Sequence, residues 1–191
     1  MKKLDISYSD SELDPIVKWC NENREYTPVI TKYNKKGNWR AISLKGYDVD
    51  PLVISKPNVL GVGEGGLLQE TPLFTELNIL SILEKIPSQT ERVRLMKLEA
   101  GTKISKHTDK VDKDIKSGDI VRLHIPIVTS EQVTMITWLD TKTPTEFKMR
   151  KGECWWLDVS KSHQVINDSE IDRVHLVLDV YANFLISKAL Q

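Results

Sequence analysis

The stretch DIVRLHIPIV, residues 119–128, alternates in a way that predicts a β-strand with two different faces. One face carries Arg122, His124 and Pro126. The other face is apolar and consists of Val121, Leu123, Ile125 and Ile127. Because successive side chains of a strand point to opposite sides of a sheet, we expect the apolar face to pack in a core and the polar face to make other interactions.

Short strand-like runs of the same kind fill most of the chain from residue 91 onward. They are RVRLMKLEAG (92–101), VTMITWLD (133–140), TEFKMRKGE (145–153), CWWLDVS (154–160), HQVIN (163–167) and RVHLVLDVY (173–181). Turn-forming Gly, Pro, Asn, Asp and Ser residues separate the runs. Regularly spaced short strands of this kind predict a mainly β fold, either a sandwich or a barrel.

Two segments of the first half have a helical pattern instead. Residues 9–23 predict a short helix, because Ser9 and Glu12 form a capping-box pattern ahead of apolar residues at helical spacing. Residues 71–87 predict a second helix, with Pro72 near its start and apolar residues along a broad face. We therefore expect an α+β arrangement in which N-terminal helices pack on the β core.

The first half also contains strand patterns. YTPVITKY (26–33) and NWRAISLKG (38–46) predict two strands joined by the basic turn NKKG (34–37), whose lysines we expect to be solvated. We expect residues 1–88 to form helix and strand elements that support the barrel, and residues 89–191 to form the core. A length of 191 residues allows both parts to belong to one structural domain.

The composition argues against several classes of partner. The 27 basic and 27 acidic residues cancel, so the chain lacks the large positive field of a protein that binds nucleic acid or an anionic membrane. No stretch approaches 18 uninterrupted apolar residues, which argues against a membrane span. Cys20 and Cys154 are far apart, and the start MKKLDISYSDSE has no apolar run, so we expect a reducing, cytoplasmic setting. No sequence feature indicates an oligomeric state.

The glycine-rich segment GVGEGG, residues 61–66, matches the G-x-G-x-x-G pattern of dinucleotide-binding sites. That pattern indicates such a site only when a strand precedes it and a helix opens directly at its end. LLQETP follows here instead, so we interpret the segment as a glycine loop at a pocket edge.

Histidine is confined to the second half of the chain, at positions 107, 124, 163 and 175. In an extended segment, His107 and Asp109 project to the same side and can direct an imidazole nitrogen and a carboxylate oxygen at one point. His163 lies at the start of another predicted strand and can supply a third ligand. The charged stretch KHTDKVDKDIKSGD (106–119) continues from the first two of these residues, and we expect it to form a rim over a substrate.

This set of donors is typical of a particular kind of metal site. Two imidazoles and one carboxylate on one face of a metal leave the opposite positions open, as in non-haem Fe(II) oxygenases. A structural zinc site would fill all positions with protein ligands, usually including thiolates, and neither cysteine has a suitable spacing. We therefore predict that His107, Asp109 and His163 bind Fe(II) and are the catalytic residues.

Arg173 follows His163 in the run RVHLVLD and shares a strand face with His175, Val177 and Asp179. A guanidinium inside an apolar barrel needs an anion, which can be a bound carboxylate or a protein carboxylate. His124 and His175 likewise have two interpretations, either core histidines with hydrogen-bond partners or residues that support the metal or a co-substrate.

The order and spacing of these motifs resemble a known family. The series R-L-x-x-L, H-T-D, R-L-H-I-P-I-V, G-E-x-W-x-L-D, H-x-V-x-N and R-V-H-L-V-L-D, between Arg94 and Asp179, is similar to the aspartyl/asparaginyl β-hydroxylase family of Fe(II)- and 2-oxoglutarate-dependent oxygenases. Relatives include free-proline cis-hydroxylases. The resemblance implies a double-stranded β-helix, also called a jelly roll and found in cupins.

The resemblance also implies roles for residues and a reaction. His107, Asp109 and His163 would hold iron, Arg173 would pair with the distal carboxylate of 2-oxoglutarate, and Arg122 and His124 would line the pocket. We place His175 with these residues of the co-substrate site. The expected reaction is hydroxylation of an amino-acid side chain, in a free amino acid or a peptide, with O2 consumed and succinate and CO2 released. The alternative is a non-catalytic, cupin-like module that binds a metal or another ligand.

Overall fold

The computed structural model describes residues 1–23, 25–55, 67–109, 119–138, 142–183, 186 and 188. The glycine segment 61–66 and residues 110–118 of the charged stretch lie outside this part of the chain. Within it, no helix is both long and apolar enough to cross a membrane.

Two antiparallel sheets form the body of the protein. Their strands are β1 (Lys2–Ser7), β2 (Thr27–Pro28), β3 (Trp39–Gly46), β4 (Gln69–Glu70), β5 (Thr90–Leu98), β6 (Thr102–His107), β7 (Ile120–Val128), β8 (Val133–Trp138), β9 (Thr145–Phe147), β10 (Glu153–Leu157), β11 (Ser162–Asn167) and β12 (Arg173–Tyr181). The larger sheet has the order β1-β10-β7-β12-β5-β3-β2, with β4 paired to β3. The smaller sheet has the order β6-β11-β8-β9.

The two sheets face each other, which gives the jelly roll expected from the sequence. Apolar side chains of the larger sheet, including Leu98 and Leu157, pack in one cluster with Ile104, Met135 and Val165 of the smaller sheet. The strand order of the larger sheet shows that N-terminal segments extend it at both edges. The division of the chain near residue 88 stays a prediction.

The opposite face of the larger sheet is covered by helices. α1 (Asp10–Glu22), α2 (Pro72–Glu76) and α3 (Ile79–Leu83) pack their buried side chains against it. The predicted capping box of α1 is confirmed, since the Ser9 hydroxyl accepts from the Glu12 amide and the Glu12 carboxylate accepts from the Ser9 amide. The main core therefore lies between the helices and the larger sheet.

The prediction of one helix over residues 71–87 is wrong in one respect. Pro72 begins a helix as expected, but Asn78 has a left-handed backbone with φ of 49° and separates α2 from α3. Asparagine tolerates this conformation better than most residues. The break lets Phe74 and Leu77 on one side, and Ile82 on the other, bury in the same core.

The hairpin predicted around the basic turn is present, with Thr27 opposite Ala41 and Pro28 opposite Arg40, but its first strand is limited to Thr27–Pro28 instead of residues 26–33. Three of the described strands, β1, β4 and β6, were not predicted from the sequence patterns. β1 pairs with β10 at the edge of the larger sheet, and β6 is an edge strand of the smaller sheet that ends at His107.

Candidate metal centre

A cavity of about 630 Å³ lies between the two sheets. The strand faces predicted to be polar form part of its wall, because apolar residues of the same strands are turned into the helix-covered core. Of the predicted site residues, the lining contains His107, Asp109, Arg122, His124, His163 and Arg173. His175 does not line this cavity in the part of the chain that the structure describes.

His107 and His163 are cross-strand neighbours on β6 and β11. Both are buried, and their ring centroids lie 4.2 Å apart. His107 Nδ1 lies 2.8 Å from the carbonyl oxygen of Ser105, and His163 Nδ1 lies 3.0 Å from that of Lys161. A proton on each Nδ1 satisfies these contacts and leaves each Nε2 as a lone-pair donor, which is the tautomer that a metal requires.

Asp109 lies just beyond the end of β6. Its backbone amide donates to the carbonyl of Val159 at 2.8 Å, which fixes the segment against the turn before β11. Its Oδ1 lies 3.5 Å from His107 Nε2. One donor atom from each of His107, Asp109 and His163 lies within 4.8 Å of the others. The structure thus brings together the three residues that the sequence singled out.

The environment of His163 suits metal coordination. Burial lowers the pKa of His163, although the carboxylate of Asp109 offsets part of that effect. A lowered pKa keeps the imidazole neutral and able to coordinate at neutral pH. Two imidazoles and a carboxylate are a donor set that suits divalent iron, so the residues present fit the metal that the sequence implied.

Asp109 is held in place by a buried network of ion pairs. Arg122 Nη1 lies 2.5 Å from Asp109 Oδ2, while Arg122 Nε lies 2.7 Å from Asp179 Oδ1. Arg92 and Arg94 also contact Asp179, at 2.7 and 2.9 Å. Arg122 therefore connects two carboxylates. It contacts Oδ2 of Asp109, whereas Oδ1 faces His107, and it also contacts the fully buried Asp179 on β12.

The sequence interpretation missed Arg92 and Arg94 as site residues. They alternate along β5 with Val93 and Leu95, which belong to the helix-covered core. That alternation was visible in the sequence, but it did not show that the face opposite the core is enclosed by a second sheet. Burial lowers the pKa of Arg94 to about 9 despite the opposing influence of Asp179.

Arg173 lies at another part of the cavity wall and is 2% exposed. Its Nη2 lies 2.7 Å from His175 Nδ1, and its Nε has no partner among the described residues. Burial lowers the pKa of this guanidinium to about 9. A bound anion inside the cavity would relieve that desolvation, so Arg173 fits the carboxylate partner that the sequence implied.

His124 and His175 flank Arg173 as neutral imidazoles. Burial lowers the pKa of both residues well below the usual value, and the charge of Arg173 acts in the same direction. Neither ring nitrogen of His124, nor Nε2 of His175, has a hydrogen-bond partner in the described part of the chain. His175 contacts Arg173 but does not line the cavity, whereas His124 lines the cavity.

Two aromatic residues that the sequence interpretation did not assign to the site lie against His107. The Tyr33 ring centroid is 5.1 Å from that of His107, and the Trp39 centroid is 5.8 Å away. Both side chains line the cavity. They come from the hairpin of the first half, so this N-terminal segment contributes to the wall beside the candidate metal-binding residues.

The comparisons with known proteins agree with this arrangement. A family model described as aspartyl/asparaginyl beta-hydroxylase matches residues 10–183. An oxidoreductase of the 2OG-Fe(II) oxygenase family from Burkholderia pseudomallei superposes with a TM-score of 0.61 at 13% identity, over 91% of this chain and 79% of that chain. A Pseudomonas putida prolyl-4-hydroxylase superposes with a TM-score of 0.57 at 10% identity, over 95% and 92% of the two chains. At such low identity these two structures establish a shared fold.

Proposed function

Because the chain belongs to the aspartyl/asparaginyl β-hydroxylase family, we propose that it hydroxylates an amino-acid side chain with Fe(II), 2-oxoglutarate and O2. The observation that carries this proposal is the convergence of His107, Asp109 and His163 beside Arg173 in one cavity. A cupin-like module without catalytic activity would have no need of a buried, unpaired guanidinium nitrogen next to a metal site.

The protein's own residues have distinct tasks in this proposal. His107 and His163 would bind the metal through Nε2, and Asp109 through Oδ1. Arg122 orients the Asp109 carboxylate by holding its other oxygen, which leaves one oxygen directed at the metal. When bound, the iron supplies the redox chemistry by which O2 and 2-oxoglutarate give a hydroxylated product, succinate and CO2.

Arg173 would bind the distal carboxylate of 2-oxoglutarate. Its position on β12 of the larger sheet, opposite the histidines of the smaller sheet, allows the co-substrate to bridge the two sheets. His175 holds the guanidinium from behind and, as a neutral imidazole, adds no competing charge. His124 would offer its nitrogens to the co-substrate or to the substrate from the same wall.

The substrate would enter past the aromatic wall of Tyr33 and Trp39. These rings exclude water from one side of His107, which protects a reactive centre from side reactions. We propose a free amino acid or an amino-acid residue of a peptide as the substrate.

Anaerobic titration tests the proposal directly. Fe(II) and then 2-oxoglutarate are added to the purified protein while the visible absorption spectrum is recorded. We expect a weak charge-transfer band that requires both additions, and substrate-stimulated succinate release when air and a screen of amino acids and peptides are supplied.

A pair of aspartate variants provides the control. Asp109→Ala should lose the band and the succinate release, whereas Asp5→Ala removes an exposed carboxylate of β1 and should retain both. Retention of the band in a folded Asp109→Ala protein would rule out the assigned ligand set. Absence of the band in the folded wild type would favour the non-catalytic module.

A further inference from the structure

A second cleft, of about 870 Å³, lies outside the metal cavity. One side is formed by the basic turn between β2 and β3, and the other by β6 and the end of β11. The charged residues of its described lining are Lys32, Lys35, Lys36, Lys103 and Asp168. The cleft is therefore strongly basic in a chain whose total formal charge is zero.

The sequence pattern suggested only that the turn lysines are solvated. The fold adds Lys103 of β6 to them across the cleft. Among the residues that the structure describes, Lys35, Lys36 and Lys103 are exposed and form no ion pair. The four lysines of the lining outnumber its one described carboxylate, Asp168, so an anionic ligand would stabilise this excess of positive charge.

The basic turn has a defined conformation. The Asn34 side chain donates to the carbonyls of Val29 and Trp39 at 2.8 and 2.6 Å and accepts from the Trp39 amide at 2.9 Å. Gly37 closes the turn with φ of 72° and donates its amide to the Asn34 carbonyl. These contacts hold the turn in place beside β6, which reduces the ordering cost of binding a ligand.

The cleft is connected to the metal centre in two ways. Tyr33 lines both cavities, so its ring forms a shared wall between them. Strands β6 and β11 also run from one to the other, with Lys103 opposite Ile166 at the cleft and His107 opposite His163 at the metal centre. The four residue-to-residue steps from Lys103 to His107 span about 13 Å of extended strand.

We propose that this lysine-lined cleft binds an acidic segment of a polypeptide substrate and thereby directs a neighbouring residue of that substrate to the metal centre. The proposal rests on the hydroxylase function proposed above and selects a peptide instead of a free amino acid. An extended peptide covers the same 13 Å with about four residues, so the acidic segment would lie about four positions from the hydroxylated residue.

The site next to the cleft favours a peptide over nucleic acid as the occupant. A peptide can place one side chain in the metal cavity and run out along β6, past Tyr33, in one continuous chain. Nucleic-acid binding to single strands usually combines a basic groove with several aromatic stacking platforms, and Tyr33 is the one aromatic residue in the described lining of the cleft.

Fluorescence anisotropy with fluorescein-labelled hexaglutamate tests the proposal. The full-length protein is titrated at low ionic strength without added metal or 2-oxoglutarate, so the result does not depend on the iron chemistry. We expect saturable binding by the wild type that weakens as salt is raised and that falls by at least about tenfold in Lys35→Glu/Lys36→Glu/Lys103→Glu.

Two further variants make the result specific. The neutral variant Lys35→Gln/Lys36→Gln/Lys103→Gln should show an intermediate loss. The matched charge reversal Lys18→Glu/Lys148→Glu/Lys188→Glu, at exposed lysines outside the cleft, should bind within about twofold of the wild type. Thermal melting of each variant establishes that it is folded.

Three results would overturn the proposal. They are no saturable binding of hexaglutamate by the wild type, equal losses in the two charge-reversal variants, and tighter binding of a labelled six-nucleotide RNA than of hexaglutamate. If hexaglutamate binds to a protein that shows no charge-transfer band with Fe(II) and 2-oxoglutarate, the cleft assignment stands and the proposed hydroxylation does not. Failure of the cleft proposal is therefore distinguishable from failure of the proposed function.

Discussion

Asp179 is fully buried and contacts three guanidinium groups from the two strands that flank β12: β5 supplies Arg92 and Arg94, and β7 supplies Arg122. Burial alone would raise the pKa of this carboxyl group, but the three positive charges outweigh burial and hold the pKa well below its usual range. Asp179 is therefore a permanent anion, and it positions Arg122 against Asp109.

Substitution of Asp179 by asparagine should be strongly destabilising. The change leaves buried guanidinium groups without their counter-charge, and breaking a buried ion pair costs about 3–5 kcal/mol. Chemical denaturation of Asp179→Asn should show that loss in the free energy of unfolding. Glu99→Gln, which removes a half-exposed pair with Arg40, should cost less than about 1 kcal/mol, and equal losses would contradict the assigned role.

The buried histidines make stability depend on pH. The pKa values of His124 and His175 are lowered in the folded state, so below about pH 6.5 the unfolded chain binds protons that the folded protein does not. Their contribution to stability is therefore complete above that pH and is lost as the pH falls. Between pH 7.5 and 5.5 we expect the free energy of unfolding to fall, by at most on the order of 1 kcal/mol for each histidine.

Urea denaturation in the presence of a chelator, repeated across this pH range, measures the effect. His124→Gln should reduce the pH-dependent loss by about half of the combined contribution of the two residues. A pH dependence unchanged by this substitution would show that folding does not lower the pKa of His124.

The sequence predicted the candidate metal-binding residues better than the network that supports them. His107 and Asp109 lie two positions apart in the chain and are of types that bind metals, and His163 lies at the start of a recognisable strand. Arg92 and Arg94 carry no such chemical signature, because alternating arginines on a strand are also typical of a solvated face. The structure shows that both arginines contact Asp179, because the fold encloses their face of β5 between the two sheets.

At the scale of elements, the turn before β10 fixes how β1 and α1 meet the larger sheet. Gly152 has φ of 79°, donates its amide to the Pro126 carbonyl, and accepts from the Tyr8 amide. A Cβ at this position would lie 2.3 Å from the Tyr8 carbonyl oxygen. Both the backbone conformation and the close approach of another chain segment therefore require glycine here.

Two glycine substitutions separate these requirements. Gly101→Ala introduces the strain of a left-handed residue at a position with φ of 66° and no atom within 4 Å of the new Cβ, which should cost about 1–2 kcal/mol. Gly152→Ala adds a clash with backbone and should cost about 1–3 kcal/mol more. Thermal and chemical denaturation of the two variants measures the difference between their losses in the free energy of unfolding. Equal losses would show that the backbone between β1 and α1 shifts to accommodate the new Cβ at little cost.

The elements with strong periodic patterns were predicted, and those set by tertiary contacts were not. The capping box and apolar spacing identified α1, and alternation identified the strands from β7 to β12. The break at Asn78 depends on the shape of the sheet on which α2 and α3 pack. β1 was missed because its alternation is short and mixed with charged residues, and its position is set by pairing with β10.

At the scale of the whole molecule, each of the two sheets carries a different part of the proposed site. The smaller sheet carries His107 and His163 on paired strands, and the larger sheet carries Arg122 and Arg173. Residues 1–88 contribute helices that cover the larger sheet and the hairpin that supplies Tyr33. A sequence pattern predicts each strand separately, but the pairing order that brings these distant strands together is a property of the complete fold.

Metal binding should stabilise the whole molecule. A ligand present at about 100 times its Kd stabilises the folded state by about 2.7 kcal/mol. For a protein of this size, that corresponds to a rise in Tm of about 5–10 °C. Calorimetry with Mn(II) should show this rise, a chelator should reverse it, and Asp109→Ala should abolish it while Asp5→Ala retains it. A rise that persists in Asp109→Ala would indicate binding elsewhere.

The direct pairing of His107 with His163 makes metal binding depend on the correct alignment of β6 and β11 during folding. A slip of one residue between β6 and β11 would turn one imidazole to the opposite side of the sheet and separate the two nitrogens. Such a misaligned isomer could retain most of its backbone pairing and yet capture no ion. Metal binding would therefore stabilise only the molecules in which the two strands are correctly aligned.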